Sequence, residues 1–206
     1  MMLILPVLLG IAIALARGGS LHNLTTAGFR GMGAIMASFL IQLAVYMPPL
    51  RDTTVVKQHG GAIFVVVLAL MLIGVARNWH LGLSARVILL GLALNTVVVV
   101  ANGGHMPVNA AALRSTQGET LVRAIGVHKV SGRALADRAS LFLPLSDIIP
   151  VSFPILPGMV CSIGDLFLAA GGATLAYGAT RRPNQRAGST PDPAALLVPS
   201  AGRLAS

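Results

Sequence analysis

Residues 60–76 decide the fold, because they read GGAIFVVVLALMLIGVA and contain no charged side chain. A helix needs roughly 17–25 apolar residues to cross the hydrocarbon core of a bilayer, and this run is long enough. The next three residues are RNW, and the indole of Trp79 suits the headgroup interface. The run therefore predicts a transmembrane helix.

The composition of the whole chain agrees with a membrane location. The chain has 206 residues, of which 55% are hydrophobic and 10% are charged, and its mean hydropathy is +0.80. Soluble domains carry about 25% charged residues, so this chain has too few charges to cover a water-exposed surface. The composition predicts an integral membrane protein.

Composition also excludes several kinds of site. The single cysteine, Cys161, excludes an internal disulfide framework and a CxxC metal or redox site. With one tryptophan and two tyrosines there is no stacking platform for nucleic acid, despite a net charge of +9. The five histidines are scattered without ligand spacing, so no metal and no cofactor is expected.

Four further uncharged runs complete the predicted architecture. The expected class is all-α, a polytopic helical membrane protein with about five transmembrane helices in a membrane domain over residues 1–180. Residues 181–206 predict a disordered basic cytoplasmic tail. The predicted spans are about residues 1–16, 31–48, 60–76, 86–102 and 159–180. The first run has an alternative interpretation as a cleaved signal peptide, since Ala14-Leu15-Ala16 resembles a cleavage site, although Arg17 directly after it favours a retained span.

The basic residues predict the orientation of these spans, because cytoplasmic flanks carry an excess of Lys and Arg. One side of the membrane carries most of the flanking arginines, namely Arg17, Arg30, Arg77, Arg86, Arg181, Arg182 and Arg186. The other side carries most of the acids, namely Asp52, Glu119, Asp137, Asp147 and Asp165. We therefore expect the N-terminus outside and the C-terminus in the cytoplasm.

Any activity is expected in the outer loop, residues 103–158, which is too long for a plain connection. The sequence NGGH at residues 102–105 fits a simple helix end and turn. A second interpretation uses Asn95 and Asn102, which lie seven residues apart on one helix face and would direct their amides into a polar pocket. The basic middle of the loop, residues 114–138, predicts either a solvated surface or a site for an anionic group.

The end of the loop is the most informative stretch and reads LFLPLSDIIPVSFPILPGMVCSIGD over residues 141–165. Its four prolines prevent a continuous helix, so we expect a Pro-rich interfacial or re-entrant segment. Asp147 is either a turn residue or part of a site. Ser162 and Asp165 match a capping box, while an ionisable group at the outer interface is also a candidate for function.

Two resemblances follow from these motifs. NGGHMPV, SDIIP and SIGD resemble a family of bacterial integral membrane proteins known only as a domain of unknown function (5317), over residues 1 to about 180. This resemblance implies a multi-pass protein of the bacterial inner (plasma) membrane and brings no activity. The order of Asp147, Phe153-Pro154 and SIGD is also similar to lipoprotein signal peptidases, which would place Asp165 on a catalytic aspartate. The other catalytic acid of those enzymes has no counterpart near residues 102–105.

These observations predict an uncharacterised membrane protein, a non-catalytic accessory or binding subunit with a polar pocket on its outer face. The residues expected to bind a ligand there are Asn95, Asn102, His105, Asp147 and Asp165. The expected partners are membrane lipid and other membrane protein subunits. One alternative is an aspartate-dependent membrane hydrolase that uses Asp147 and Asp165, and a second is a conduit for a small solute.

Overall fold

The computed structural model describes residues 4–127, 132–152 and 158–181. Within these ranges the chain is mostly helical, with nine α-helices, two short 3₁₀ helices and four short strands. The helices are α1 (Ile4–Ala16), α2 (His22–Thr25), α3 (Met32–Tyr46), α4 (Pro48–Arg51), α5 (Thr54–Ala76), α6 (Leu83–Ala101), α7 (Ala110–Gln117), α8 (Glu119–Val127) and α9 (Ile163–Arg181). The strands are β1 (Met106–Val108), β2 (Arg133–Leu135), β3 (Ile149–Val151) and β4 (Met159–Cys161).

Two helices of the described chain are long and apolar enough to cross a membrane. They are α5, with 23 residues and a mean hydropathy of 2.4, and α6, with 19 residues and 2.1. Helix α5 begins at Thr54, ahead of the predicted start, because the Thr53 hydroxyl accepts a hydrogen bond from the Val56 amide and caps the helix. The apolar helices α1 and α3 are shorter, with 13 and 15 residues.

The five long helices form a row in the order α3, α5, α6, α9, α1. Glycine allows the closest approaches along this row, since a side chain on Gly91 of α6 would collide with the carbonyl oxygen of Gly164 on α9. In the same way Gly10 of α1 lies against the backbone of Ala173 on α9. Small residues of this kind let helix backbones pack directly on one another.

A buried asparagine joins α5 to the segment before α3. Asn78 is only 5% exposed, and its Nδ2 donates to the carbonyl oxygens of Arg30 at 2.6 Å and Gly74 at 2.8 Å. The Arg30 amide donates back to its Oδ1 at 2.8 Å. Because every polar atom of this amide is paired, its burial costs little, and the two helices keep a fixed register.

The outer loop is a folded layer that adds four short strands to the mostly helical chain. Strands β1 and β2 pair in parallel, and β3 and β4 pair antiparallel. A bridge between Val108 and Asp147 joins the two pairs. The layer has its own apolar core, made of Val108, Ala112, Leu113, Val122, Ile125 and Val160.

One detail of this layer was predicted. The Asn109 Oδ1 accepts hydrogen bonds from the amides of Ala111 and Ala112, so Asn109 caps α7 as expected. Near Pro150 the described part of the Pro-rich segment is strand β3 of the antiparallel pair, while residues 153–157 lie outside the described residues. The predicted tail also lies outside them from residue 182 onward, and Arg181 belongs to α9.

Candidate functional site

A cavity of about 300 Å³ lies where four helices of the row meet the outer layer. Helices α3 and α6 contribute residues near their C-terminal ends, and α9 contributes one near its N-terminal end. The lining residues are Gln42, Tyr46, Phe64, Leu68, Asn95, Val99, Met106, Gly132, Arg133, Asp147 and Asp165. Pockets of this size hold small molecules, and this one combines an apolar wall with charged groups.

Asp165 caps α9, as its sequence position predicts, and it also lines the cavity. The Asp165 amide donates to the Ser162 hydroxyl at 3.0 Å, and the Ser162 amide donates to Asp165 Oδ2 at 3.2 Å. This is a complete capping box at the start of α9. The other carboxyl oxygen, Oδ1, accepts from Asn95 Nδ2 at 2.8 Å on the cavity wall. Capping and a place in the cavity are therefore compatible for this side chain.

Asn95 links α6 to the start of α9. Its Oδ1 accepts from the Ser162 hydroxyl at 2.8 Å, while its Nδ2 donates to Asp165. Asn95, Ser162 and Asp165 thus form a closed ring of hydrogen bonds in which each donor faces an acceptor. The ring fixes the orientation of the Asn95 amide and of the Asp165 carboxylate, so this side of the cavity is preorganised.

Asp147 is the second carboxyl group in the cavity lining. The residue is only 2% exposed, and its Oδ2 lies 3.1 Å from Nη2 of Arg133. Burial raises the pKa of Asp147 to about 7, the guanidinium of Arg133 opposes this rise, and the charge of Asp165 adds to it. Asp147 therefore changes its charge near neutral pH.

The backbone of Asp147 is held equally firmly. Its amide donates to the Pro107 carbonyl oxygen at 3.0 Å, and its carbonyl oxygen accepts from the Asn109 amide at 2.9 Å. These bonds extend the β1 pairing and keep the side chain pointing at the cavity. Asp147 is therefore not simply a turn residue, since its backbone forms a bridge with Val108.

A family model matches residues 26–177 of the chain and is described as a family of unknown function, DUF5317. The chain belongs to this family. No curated protein and no solved structure shows significant similarity to it. The matched residues include the whole cavity lining, from Gln42 to Asp165, so the site lies entirely within the DUF5317 region.

Arg133 is the cation in the cavity of this DUF5317 chain, and the sequence did not single it out. Its sequence position in the basic stretch 114–138 fits either a solvated surface or a site for an anionic group. Pairing of β2 with β1 places Arg133 opposite Met106 and beside Asp147. Gly132 before it has a φ of +70° and lies against the ring of Phe64, where a side chain would not fit. No local sequence signal separates Arg133 from its solvated neighbours, since its position depends on a long-range strand pair.

Two of the five predicted site residues lie outside the cavity lining. Asn102 donates from Nδ2 to the carbonyl oxygens of Val98 and Leu141 and accepts from the Leu141 amide. Asn102 is the C-cap of α6, about two turns beyond Asn95, so its amide lies at the junction with Leu141 and not at the cavity. His105 lies beside Gly61, with its Nδ1 3.0 Å from the carbonyl oxygen of Gly103. Both residues belong to the junction of α6 with the outer layer.

Within the described ranges, there is no group of three or more His, Cys, Asp or Glu residues that could hold a metal ion. The chemistry that this site offers comes from two carboxyl groups, one guanidinium and neutral amide and phenol groups beside an apolar wall. It can bind a polar group and exchange a proton at Asp147 near neutral pH.

Proposed function

We propose that the chain is an integral membrane protein with five spans, a non-catalytic binding subunit that takes a small ligand into the cavity at its outer face. The observation that carries this proposal is the cavity itself, which brings Asn95, Asp147 and Asp165 together with Arg133. Concave sites that pair apolar walls with a few convergent polar groups are the usual form of ligand sites.

Membrane insertion is supported by the exposure of the apolar helices. Only 11% of the most apolar stretch of α5 and 28% of that of α6 is buried, whereas the core helix of a soluble protein is mostly covered. Many large side chains of α1 and α3 are also exposed, among them Leu8 and Phe39. Lipid would cover these surfaces. The distribution of arginines supports a cytoplasmic C-terminus, and the resemblance to bacterial membrane proteins supports the inner membrane.

Binding is favoured over catalysis by the way the two acids are held. An aspartic dyad needs two carboxyl groups that share a proton. Here both oxygens of Asp165 accept from N–H donors of Asn95 and Ser162, and Asp147 forms an ion pair with Arg133. These partners hold both carboxyl groups in fixed positions, which suits recognition of a ligand.

The test is to fill the cavity and look for loss of a bound molecule. Leu68→Trp places a large ring in the cavity, while Ile73→Trp places the same ring on an exposed face of the same helix. We expect native mass spectrometry of gently purified protein to find a retained small molecule in the wild type and in Ile73→Trp, but not in Leu68→Trp. Identical spectra for all three proteins would contradict the proposal.

A second candidate is an aspartate-dependent hydrolase for lipid-anchored substrates. It is favoured by one observation, that Asp147 and Asp165 line the same cavity and the charge of one raises the pKa of the other. Asp165→Asn would then abolish cleavage of a lipid-anchored peptide, because an amide cannot move a proton, and Asp137→Asn would retain it. Wild-type protein without cleavage activity would remove this candidate.

A further inference from the structure

The cavity lining combines charges of both signs with apolar side chains. Asp147 and Asp165 supply two carboxyl groups, and Arg133 supplies the one guanidinium among the described lining residues. The apolar part of the lining includes Phe64, Leu68, Val99 and Met106. A ligand that matches this surface has a cationic group, an anionic group and an apolar portion.

The charged groups retain capacity to bind. A guanidinium has five N–H donors, and Arg133 uses Nη2 on Asp147 while its side chain remains 35% exposed. A carboxylate accepts hydrogen bonds at about four positions, so Asp165 can accept more than the bonds from Asn95 and Ser162. A cation between the two carboxyl groups would use their remaining acceptor positions, and an anion on Arg133 would use the remaining donors of its guanidinium.

The row of helices gives access from the membrane. Helix α3 packs on α5, and α9 packs on α6 and α1, but among the described helices α3 and α9 form no extended contact with each other. Gln42 and Tyr46 of α3 and Asp165 of α9 nevertheless border the same cavity. None of the described helices therefore closes the side of the cavity between α3 and α9, and an acyl chain can lie there while its headgroup enters.

We propose that the cavity binds a membrane phospholipid whose headgroup carries a primary ammonium next to its phosphate, with the ammonium between Asp147 and Asp165 and the phosphate on Arg133. This inference rests on the proposed function and names the ligand class of the same site. An anionic phospholipid without the ammonium would place its phosphate against two carboxyl groups with only one guanidinium to offset them.

Occupancy by an ammonium is linked to the charge of Asp147. The groups that face it are Arg133 on β2, Asp165 on α9 and Cys161 on β4, and Tyr46 of α3 lines the same cavity. An ammonium beside Asp147 favours its ionised form, so it opposes the rise in pKa that burial causes. Binding therefore weakens as the pH falls below about 7, where Asp147 takes up its proton.

The experiment uses the full chain in nanodiscs with equal amounts of phosphatidylethanolamine and phosphatidylglycerol. After release into mild detergent, native mass spectrometry counts the retained lipids. We expect one phosphatidylethanolamine per protein, enriched about tenfold over phosphatidylglycerol. Equal retention of the two lipids, or preference for phosphatidylglycerol, overturns the inference.

Variants assign the preference to the named groups. Asp147→Asn removes one carboxylate with little change in shape and should abolish the enrichment, while the exposed Asp137→Asn should retain it. If gel filtration shows that Asp147→Asn is not folded, the wild-type protein alone still tests the inference. In that case its retention of phosphatidylcholine is compared with its retention of phosphatidylethanolamine. The trimethylated ammonium of phosphatidylcholine lacks N–H donors, so weaker retention than that of phosphatidylethanolamine is expected, and equal retention contradicts the inference.

Competition with a soluble headgroup compound distinguishes a bound lipid from a bound free metabolite. Glycerophosphoethanolamine has the same ammonium and phosphate without acyl chains, and it should not displace the lipid at millimolar concentration. Displacement would show that the free headgroup compound is the occupant and would overturn the lipid assignment. A different retained molecule that Leu68→Trp removes would preserve the binding function and overturn only the inference, whereas no retained molecule at all would remove both.

Discussion

Helices α6 and α9 close on one another at the level of Gly91 and Gly164, while helices α3, α5, α6 and α9 leave a cavity beside this contact. Both regions contain apolar side chains, so hydrophobicity alone does not distinguish them. The difference lies in side-chain size and in polar links. Glycine brings α6 onto the backbone of α9, whereas Phe64 and Leu68 fill only part of the space beside α5. Small residues thus decide where the row is closed and where it can accept a ligand.

Gly91→Leu should have the largest effect, because it breaks the closed region. The new side chain would collide with the Gly164 carbonyl oxygen and meet Cβ of Phe167 at 2.9 Å, and neither backbone can move without separating the helices. We expect a loss of about 3 kcal/mol or more, or no folded protein, by thermal unfolding in nanodiscs.

Gly60→Leu is the matched control for Gly91→Leu. Gly60 is also helical, and nothing lies within 4 Å of the position where its Cβ would be. The same substitution there should leave the unfolding transition nearly unchanged, since leucine is a better helix former than glycine. A similar loss of stability in both variants would show that the close approach of α6 and α9 is not the cause.

The charged side of the cavity predicts a pH dependence of smaller size. The folded-state pKa of Asp147 is about 7, above its ordinary value of 3.8, so the folded protein binds the proton more tightly than the unfolded chain does. The contribution of the Asp147 carboxyl to the free energy of unfolding is complete below pH 3.8 and is lost as the pH rises through about 7. Between pH 5 and 8 we expect the wild type to lose on the order of 2–3 kcal/mol relative to Asp147→Asn, because the folded protein keeps the proton over about two pH units in which the unfolded chain has lost it.

Asp137→Asn controls for the general effect of removing an acid. The Asp137 carboxyl is exposed, and its hydrogen bond from the Ser140 hydroxyl lowers its pKa. This variant should keep the wild-type decline in stability between pH 5 and 8. If Asp147→Asn declines as steeply as the wild type, burial of Asp147 does not control the titration. Unfolding in lipid-free detergent separates this effect from ligand binding.

Local patterns predicted much of the fold and part of the site. The apolar run in α5 and the caps at Asn109 and Ser162 depend on neighbours in sequence, and the structure confirms them as helix and caps. The five-span topology stays a prediction, although α5 and α6 are long and apolar enough to cross a membrane. Arg133 could not be found, since it reaches the cavity through a pairing of strands distant in sequence.

The smallest effect is expected from Asn102, which directly follows α6, and it separates the cavity from the junction of α6 with the outer layer. Asn102→Ala removes hydrogen bonds to the backbone of Leu141, an exposed residue, so we expect a loss of about 1 kcal/mol or less and unchanged lipid retention. Asn95→Ala breaks the ring with Ser162 and Asp165 and should lower both stability and retention. Thermal unfolding and native mass spectrometry measure the two properties on the same samples. Loss of the retained lipid in Asn102→Ala would extend the binding site to the α6 junction, and retention in Asn95→Ala would separate the ring from ligand binding.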